Sequence, residues 1–315
     1  MRAEGSAQIT GNETQLMSRR VRIFRVDAFT TTACAGNPAC VVLDGDGLEE
    51  HAFQAITREQ GGVDTAFVLP PDAADHDLRL RFFTPHSEAS FVGHATLAVH
   101  AVRDALHLPA CHRQKQRGGI VEIARLDTAQ GRQYSFSQSP PPLHGPPASD
   151  WLMAVLEALG IDPGDLDPSC PSVVAGVGGS RVLLAVRSGA TLARLRPDLP
   201  RLAGLSAGGK PAGYFVYSLA PTLADCDSEA RMFCPALGIM EDPVSGNAHA
   251  MLAAQLQRLG RLPVHSGYVG FTGRQGHHMG RPGALTVRLA NSGEGLPQIG
   301  VAGNARVVFD ATLEL

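Results

Sequence analysis

The first regular pattern in the chain begins at residue 21. Residues 21–29 (VRIFRVDAF) alternate apolar and polar positions, as a strand with one buried face does. An AGNP turn at 35–38 and a short apolar run at 39–43 follow, so the fold is expected to open as strand, loop, strand. Residues 48–60 place apolar side chains at helical spacing, 65–69 read as a strand, and 78–83 alternate apolar with charged residues. The segment 81–106 (RFFTPHSEASFVGHATLAVHAVRDAL) then reads as strand, loop and a helix that opens at Gly93-His94. Ala95, Leu97, Ala98, Ala101, Val102 and Leu106 are its expected buried positions. Few charges fall on this helix, so it is expected to lie inside a sheet wrapped around it.

The same device recurs. In residues 231–256 (RMFCPALGIMEDPVSGNAHAMLAAQL), Arg231, Phe233 and Pro235 repeat the spacing of Arg81, Phe83 and Pro85. Gly246-Asn247-Ala248 then matches Gly93-His94-Ala95 after a loop three residues longer, and each triplet opens an Ala-rich helix. Two copies predict a duplicated α+β fold: two pseudo-symmetric domains, each a curved or barrel-like sheet around a central helix. The Pro-rich stretch 138–150 reads as the connector. Further strand patterns lie at 172–186, 213–219, 284–289 and 305–309. The expected division is a disordered leader at 1–20, an N-terminal domain at 21–135 and a C-terminal domain at 150–300. The last segment, 301–315, is a strand that can return to the N-terminal domain. No G-x-G-x-x-G sits between a strand and a helix, which removes a dinucleotide-binding reading.

Composition narrows the function. The 315 residues are 44% hydrophobic and 18% charged, with 27 Lys+Arg against 30 Asp+Glu, so the basic surplus that nucleic-acid binding draws on is missing. No apolar run approaches the roughly 20 residues that cross a bilayer, and no signal core follows the first charges. A cytoplasmic protein with no nucleic-acid or membrane partner is expected. The six cysteines form no C-x-x-C pair and are read as reduced thiols; the twelve histidines show no metal-ligand spacing, so no metal is expected.

The candidate chemistry sits where the two helices begin. Free backbone N–H groups and the positive end of the helix dipole attract carboxylates, and two such ends related by pseudo-symmetry would face each other across a cleft. Glycine at the entry lets a ligand approach the backbone, and His94 and Asn247 can add side-chain hydrogen bonds. The structural alternative is that Gly93 and Gly246 merely permit tight entry turns.

Five segments in order, VDAFTTTACAGNPACVVL, REQGGVDTAFVL, RFFTPHSEASFVGHATLAVHA, EDPVSGNAHAML and RQGHHMGRPG, resemble the phenazine-biosynthesis PhzF-like family from about residue 21 onward. The resemblance implies the diaminopimelate-epimerase-like fold, an active site between the domains, proton transfer without a cofactor, and a homodimer. In the related epimerases and racemases a Cys precedes each helix-opening Gly; here those positions are Val92 and Ser245, which disfavours a two-thiol mechanism. The family's acid/base is a carboxylate before a T-x-F strand, typically Glu in S-E-T. This chain has Val63-Asp64-Thr65, one methylene shorter. By resemblance Asp64 is the catalytic acid/base, His94 handles protons or hydrogen bonds, and Asp242 orients the substrate or His94. Gly93, Ser245, Gly246, Asn247, Gln275 and Gly276 are carried over as substrate-binding, and Asn37 as a turn residue near the cleft. Asp64 as a loop cap, His94 as a helix cap and Asp242 as a turn residue before Pro243 are the structural alternatives.

The reading is an isomerase that shifts a proton within a small carboxylate-bearing metabolite. An epimerase or racemase, a dehydratase on the same fold, and a non-catalytic small-molecule binding protein are the alternatives. Trp151 with the Leu/Ala series to Leu159 reads as a core-facing helix, His277-His278 as exposed loop, and Glu88 has no assigned role.

Overall fold

A computed structural model describes residues 19–176, 180–262, 268–290 and 298–315. The expected leader lies outside the described residues as far as residue 18; Arg20 already belongs to a strand. The N-terminal half supplies β1 (Arg20–Ala28), β2 (Asn37–Val42), α1 (Glu50–Glu59), β3 (Thr65–Leu69), β4 (Leu78–Phe83), the two-residue β5 (Glu88–Ala89), α2 (Gly93–Ala105), β6 (Arg113–Gln116), β7 (Gly119–Thr128) and β8 (Gly131–Gln138). The C-terminal half supplies α3 (Ser149–Leu159), β9 (Val173–Ala175), β10 (Arg181–Ala185), α4 (Gly189–Arg194), α5 (Leu199–Leu205), β11 (Gly213–Ser218), β12 (Ser228–Cys234), β13 (Ile239–Asp242), α6 (Gly246–Arg258), β14 (Tyr268–Gln275), β15 (Gly283–Ala290), β16 (Gln298–Gly303) and β17 (Ala305–Glu314).

The duplication is written in the strand ladder. From β1 through β2, β3, β4, β6 and β7 to β8 the pairings run antiparallel, parallel, antiparallel, parallel, antiparallel, antiparallel. From β9 through β10, β11, β12, β14 and β15 to β16 the same senses follow in the same order. Antiparallel pairing of β8 with β16 joins the two sets, and β17 crosses back to pair along the whole of β1. The fold is therefore α+β, with the parallel steps made by helical crossovers rather than by hairpins.

Each set of strands encloses one helix. In α2 every residue from Ala95 to Val102 is buried, and in α6 every residue from Ala248 to Leu256, so both are apolar around most of their circumference because protein surrounds them. One hydrophobic core runs through both halves, taking in Phe24, Val26 and Leu97 on one side, Phe136 between, and Leu252, Val287 and Val301 on the other. Satellite cores lie under α1, around Phe53 and Phe67, and under α3, where Leu156, Leu159 and Leu202 pack and Trp151 lies against them. The region 172–186 divides into β9 and β10, with residues 177–179 outside the description. The β7–β8 hairpin carries no sequence forecast, because most β7 side chains are exposed and their order is not a simple alternation.

Candidate active site

The two helix entries meet at one aromatic ring. A Cβ on Gly93 would stand 2.9 Å from Cζ of Phe136, and one on Gly246 would stand 3.8 Å from the same atom, 3.1 Å from Val301 and 3.2 Å from Phe29. Phe136 is fully buried in mid-β8, and Phe91 packs edge-on to it at 5.0 Å. Glycine at these positions therefore makes room for Phe136, a wedge between the two helix entries. Gly276 has a similar reason: its φ is +86°, and a Cβ would collide with the carbonyls of Arg281 and Pro243.

Asp64 ends the loop before β3 and is largely buried, with its side chain 19% exposed. Its carbonyl accepts the Cys40 N–H at 2.9 Å, which ties the loop to β2 and fixes where the side chain starts. The carboxyl lies 3.7 Å from Nε2 of His94, a contact longer than a hydrogen bond. Burial, and then the charge of Asp242, push Asp64 up to about 7. Burial also pushes His94 down to about 4. A neutral imidazole beside Asp64 cannot pull the carboxyl back down, so near neutral pH the acid is poised between its two forms.

Asp242 ends β13, one position after Glu241. Its Oδ1 accepts from Nδ2 of Asn37 at 2.8 Å, and the same amide donates to the Val244 carbonyl at 2.9 Å. Asn37 opens β2 and is 5% exposed, so a residue of the N-terminal half fixes a carboxyl of the C-terminal half. Burial raises Asp242 above the usual carboxylate range, opposed by Arg181 and by hydrogen bonds from Asn37, the Val244 N–H and Ser245. Among the described residues Asp242 makes no hydrogen bond to His94; its carboxyl is held by Asn37, and the role of orienting His94 has no support in this geometry.

The entry to α6 is held from below. Ser245 caps the helix, its Oγ accepting from Ala248 N at 3.3 Å, while its own N–H donates to Oε1 of Gln275 at 3.1 Å. The Gln275 amide donates onward to the Asp242 carbonyl. Gln275 thus acts on the loop that carries Asp242 and Ser245. Asn247 is exposed at the helix mouth, whereas Gly246 is buried. At the other helix Val92 offers no side-chain cap.

Residues outside the forecast complete the scaffold. Arg81 is paired bidentately with Glu88 at 2.8 and 3.0 Å, and Arg231 with Glu241 at 2.9 and 2.8 Å; each pair fastens a strand to the short strand before a central helix. Glu88 therefore has a partner that the repeat itself contained. Arg281 reaches from the loop after Gly276 to Asp27 at 2.7 Å and to the carbonyls of Ala35 and Gly36, both at 2.9 Å, locking the second domain onto the AGNP loop. His277 and His278 form a single turn; the Nδ1 of His277 is buried without a partner, and His278 lies 3.4 Å from the buried Glu229. Two adjoining depressions, of about 330 and 570 Å³, share Leu43, Asp44, Val68 and Arg103 and contain none of these site residues. They bring no acid and imidazole together, so the chemistry marks the site at the helix entries.

Comparison with known proteins agrees with this architecture. Residues 26–311 match the family described as phenazine biosynthesis-like protein. The chain is 34% identical over 292 residues to a protein of Escherichia coli O157:H7 named "Uncharacterized isomerase YddE", covering 92% of this chain and 97% of that one. An uncharacterized isomerase of Clostridium acetobutylicum is 32% identical, with 95% and 100% covered. Among solved structures, a PhzF-family phenazine biosynthesis protein of Bacillus anthracis superposes with a TM-score of 0.82 at 26% identity, covering 94% of this chain and all of that one. A hydroxyproline epimerase of Agrobacterium vitis, at 12% identity and a TM-score of 0.63 with 94% and 93% covered, shares the fold.

Proposed function

The chain belongs to the phenazine biosynthesis-like family, and on that premise we propose that it is an isomerase that moves one proton within a small carboxylate-bearing metabolite, with Asp64 as the acid/base. The observation that carries the reading is the Asp64 carboxyl, buried, close to a neutral His94, and pushed up to about 7. General acid/base catalysis is most effective when the group's pKa lies near the working pH, because both protonation states are then populated. The ionised form takes a proton from a C–H made acidic by a neighbouring double bond or carboxylate. The electron pair of that bond moves into the adjacent π system, and the resulting Asp64 acid returns the proton to the far carbon. Bond order shifts while composition is unchanged, and no electron carrier enters the balance.

The substrate carboxylate is assigned to the mouth of α6, where Asn247 is exposed and the positive end of the helix dipole favours an anion. Asp242, raised by burial, spends more of its time neutral than an ordinary aspartate and repels such a ligand less. His94, neutral, supplies a hydrogen bond to the substrate beside Asp64. Thiol-based epimerisation fits less well, since Val92 and Ser245 stand at the helix entries and the buried Cys234 thiol is pushed up to about 12.

The test is solvent deuterium incorporation, followed by mass spectrometry, across a panel of small cyclic and unsaturated carboxylates. Wild type should label its substrate, and Asp64→Asn should lose about 10²–10⁴-fold in rate. Equal labelling by both proteins would remove Asp64 from the mechanism.

A further inference from the structure

The two depressions that share Leu43, Asp44, Val68 and Arg103 lie at the far end of α2 from its glycine entry. Arg103 stands in the last turn of that helix, so at the ordinary helical rise about 15 Å of helix axis separates it from Gly93. Leu43 and Val68 supply apolar wall to both depressions, Phe24 and Leu106 to the smaller and Leu78 to the larger. Their volumes, about 330 and 570 Å³, fall in the range of small-molecule sites.

The charged residues that line this space differ in what they are bound to. Arg22 is held by Asp310 at 2.8 Å, and Oδ2 of Asp77 accepts the N–H groups of His112 and Arg113 at 2.7 and 2.9 Å. Arg103 has no such partner. Its Nη2 donates to the Pro109 carbonyl at 2.9 Å, and its Nε is sealed in the interior without an acceptor. Packing therefore fixes the stem. Nη1 makes no hydrogen bond among the described residues and is not one of the sealed atoms, so it stays open to solvent. Asp44 lines both depressions as well, yet among the described residues its carboxyl accepts no hydrogen bond and joins no ion pair. Its backbone is tied down on two sides: Gly45 donates to the Val68 carbonyl at 3.1 Å, and Arg19 donates to the carbonyls of Asp44 and Asp46. A cation and an anion thus line one space, each on an anchored support, too far apart to pair with each other. The carboxyl of Asp46, also without a partner among the described residues, lines only the larger depression.

This charge pattern selects the ligand. A simple anion would meet two unpaired carboxylates, and a simple cation would leave Arg103 unanswered; a zwitterion satisfies both signs and adds no net charge. The negative end of the α2 dipole also favours an ammonium group there. We propose that this space is a binding site for a free α-amino acid with an apolar side chain. The carboxylate is held by Arg103, the ammonium by Asp44, and the side chain packs on Leu43 and Val68. Proton transfer at Asp64 plays no part in this assignment.

The probes are leucine, 4-methylpentanoate, which is leucine without its ammonium, and 3-methylbutylamine, which is leucine without its carboxylate. Each is titrated into the full chain by calorimetry at low salt, while the Nε–H resonance of Arg103, identified by its loss in Arg103→Met, is followed by NMR. Leucine should bind and shift that resonance, and each truncated probe should bind about tenfold more weakly. Arg103→Met should weaken leucine about tenfold and leave the amine unchanged. Asp44→Asn should weaken leucine by a similar factor and leave 4-methylpentanoate unchanged; this exposed residue gives the answer even if the methionine variant packs poorly. Asp64→Asn should leave leucine affinity unchanged, because its carboxyl lies beside His94 at the helix entry. No leucine binding at about 10 mM, equal binding of the three probes, or leucine affinity that both the Arg103 and Asp44 variants retain overturns the proposal. Leucine binding that only Asp64→Asn abolishes overturns it too, by placing the amino acid at the helix entries.

Discussion

The two halves share a ladder, an enclosed helix, a glycine entry and an arginine-glutamate fastener, and they differ at the residues we assign to proton transfer. Strand registers place Gly213 opposite Asp64 in the pseudo-symmetry, because Phe83 pairs with Thr65 and its counterpart Phe233 pairs with Tyr214. Ala89 is likewise the counterpart of Asp242, since Phe82 pairs with Ala89 and Met232 with Asp242. A Cβ on Gly213 would collide with the Arg181 side chain, so an arginine stem fills the space that the acid occupies in the other half. His94 answers to Asn247. The scaffold is symmetric because both halves solve the same packing problem; on the proposed mechanism the chemistry is polarised, because a single proton needs one base and one place to hold the anion.

Compensation runs beneath the site as well. In the N-terminal half a large strand residue, Gln114, meets a small helix residue, Thr96; in the C-terminal half Gly273 leaves room for His249, whose ring would touch any Cβ there at 2.4 Å. Thr96 and His249 both bond back to the carbonyl of the residue before the glycine, at 3.0 and 2.8 Å. The local bond is kept while the partners exchange bulk.

The acid that breaks the symmetry should cost stability, and this is the largest expected effect. A carboxyl raised from 3.8 in the unfolded chain to about 7 binds its proton more tightly when folded, so its contribution falls as pH rises across that window and stays lost above it. The full window corresponds to about 4 kcal/mol, an upper limit for a group that retains some contact with water. Asp64→Asn should therefore unfold later than wild type at pH 8 and at about the same point near pH 4. His94, His100 and His249, each pushed down to about 4 by burial, lose stability in the opposite direction as pH falls below 6.5, but they are present in both proteins and cancel in the difference. Urea melts at the two pH values read the sign directly; a variant no more stable at pH 8 would show that the acid is not strained.

The two fasteners give the next largest contrast. The Arg231 side chain is 9% exposed and also donates to the carbonyls of Leu192 and Leu195, whereas Arg81 is 26% exposed and shares its charge with the exposed Glu50. Removing one partner of a buried pair leaves the other charge stranded, so Arg231→Met should destabilise by about 3–5 kcal/mol. Arg81→Met should cost about 1 kcal/mol, lost partly as its stacking on Phe53 and Phe83. Similar losses in chemical denaturation would mean that the two pairs are energetically equivalent despite their burial.

These contrasts also mark what the sequence could disclose. The apolar run in α2 and α6 and the repeat of Arg, Phe and Pro are local patterns, and they carried the fold and its duplication. Asp64, His94, Asp242, Ser245 and Gln275 were legible as a set through motifs. Asn37 was seen only as a turn residue, because its hydrogen bond to Asp242 spans 205 positions. Phe136 left no trace: a phenylalanine in an alternating strand looks the same whether it faces ordinary core or wedges two helix entries. The packing at Gly93 and Gly246 was hidden for the same reason, since a glycine announces that a Cβ is unwelcome without saying what excludes it.

The smallest contrast tests that exclusion. At Gly93 an added Cβ meets Phe136 atoms at 2.9 and 3.1 Å, while at Gly246 its nearest neighbours are at 3.1 and 3.2 Å on Val301 and Phe29. The ring of Phe136 is fully buried and flanked by Phe91, so it cannot turn aside cheaply, whereas a valine methyl and a ring edge can each give by a few tenths of an ångström. Gly93→Ala should therefore cost about 2 kcal/mol and Gly246→Ala about 1 kcal/mol, less whatever the alanine returns through helix propensity. The identity of the obstacle is read from a double-mutant cycle. In a Phe136→Leu background, itself destabilised, the Gly93→Ala penalty should shrink to a few tenths of a kcal/mol while the Gly246→Ala penalty changes less. An undiminished Gly93→Ala penalty in that background would mean that the entry glycine answers to the backbone or to a ligand, and the wedge would lose its role in holding the two helices face to face.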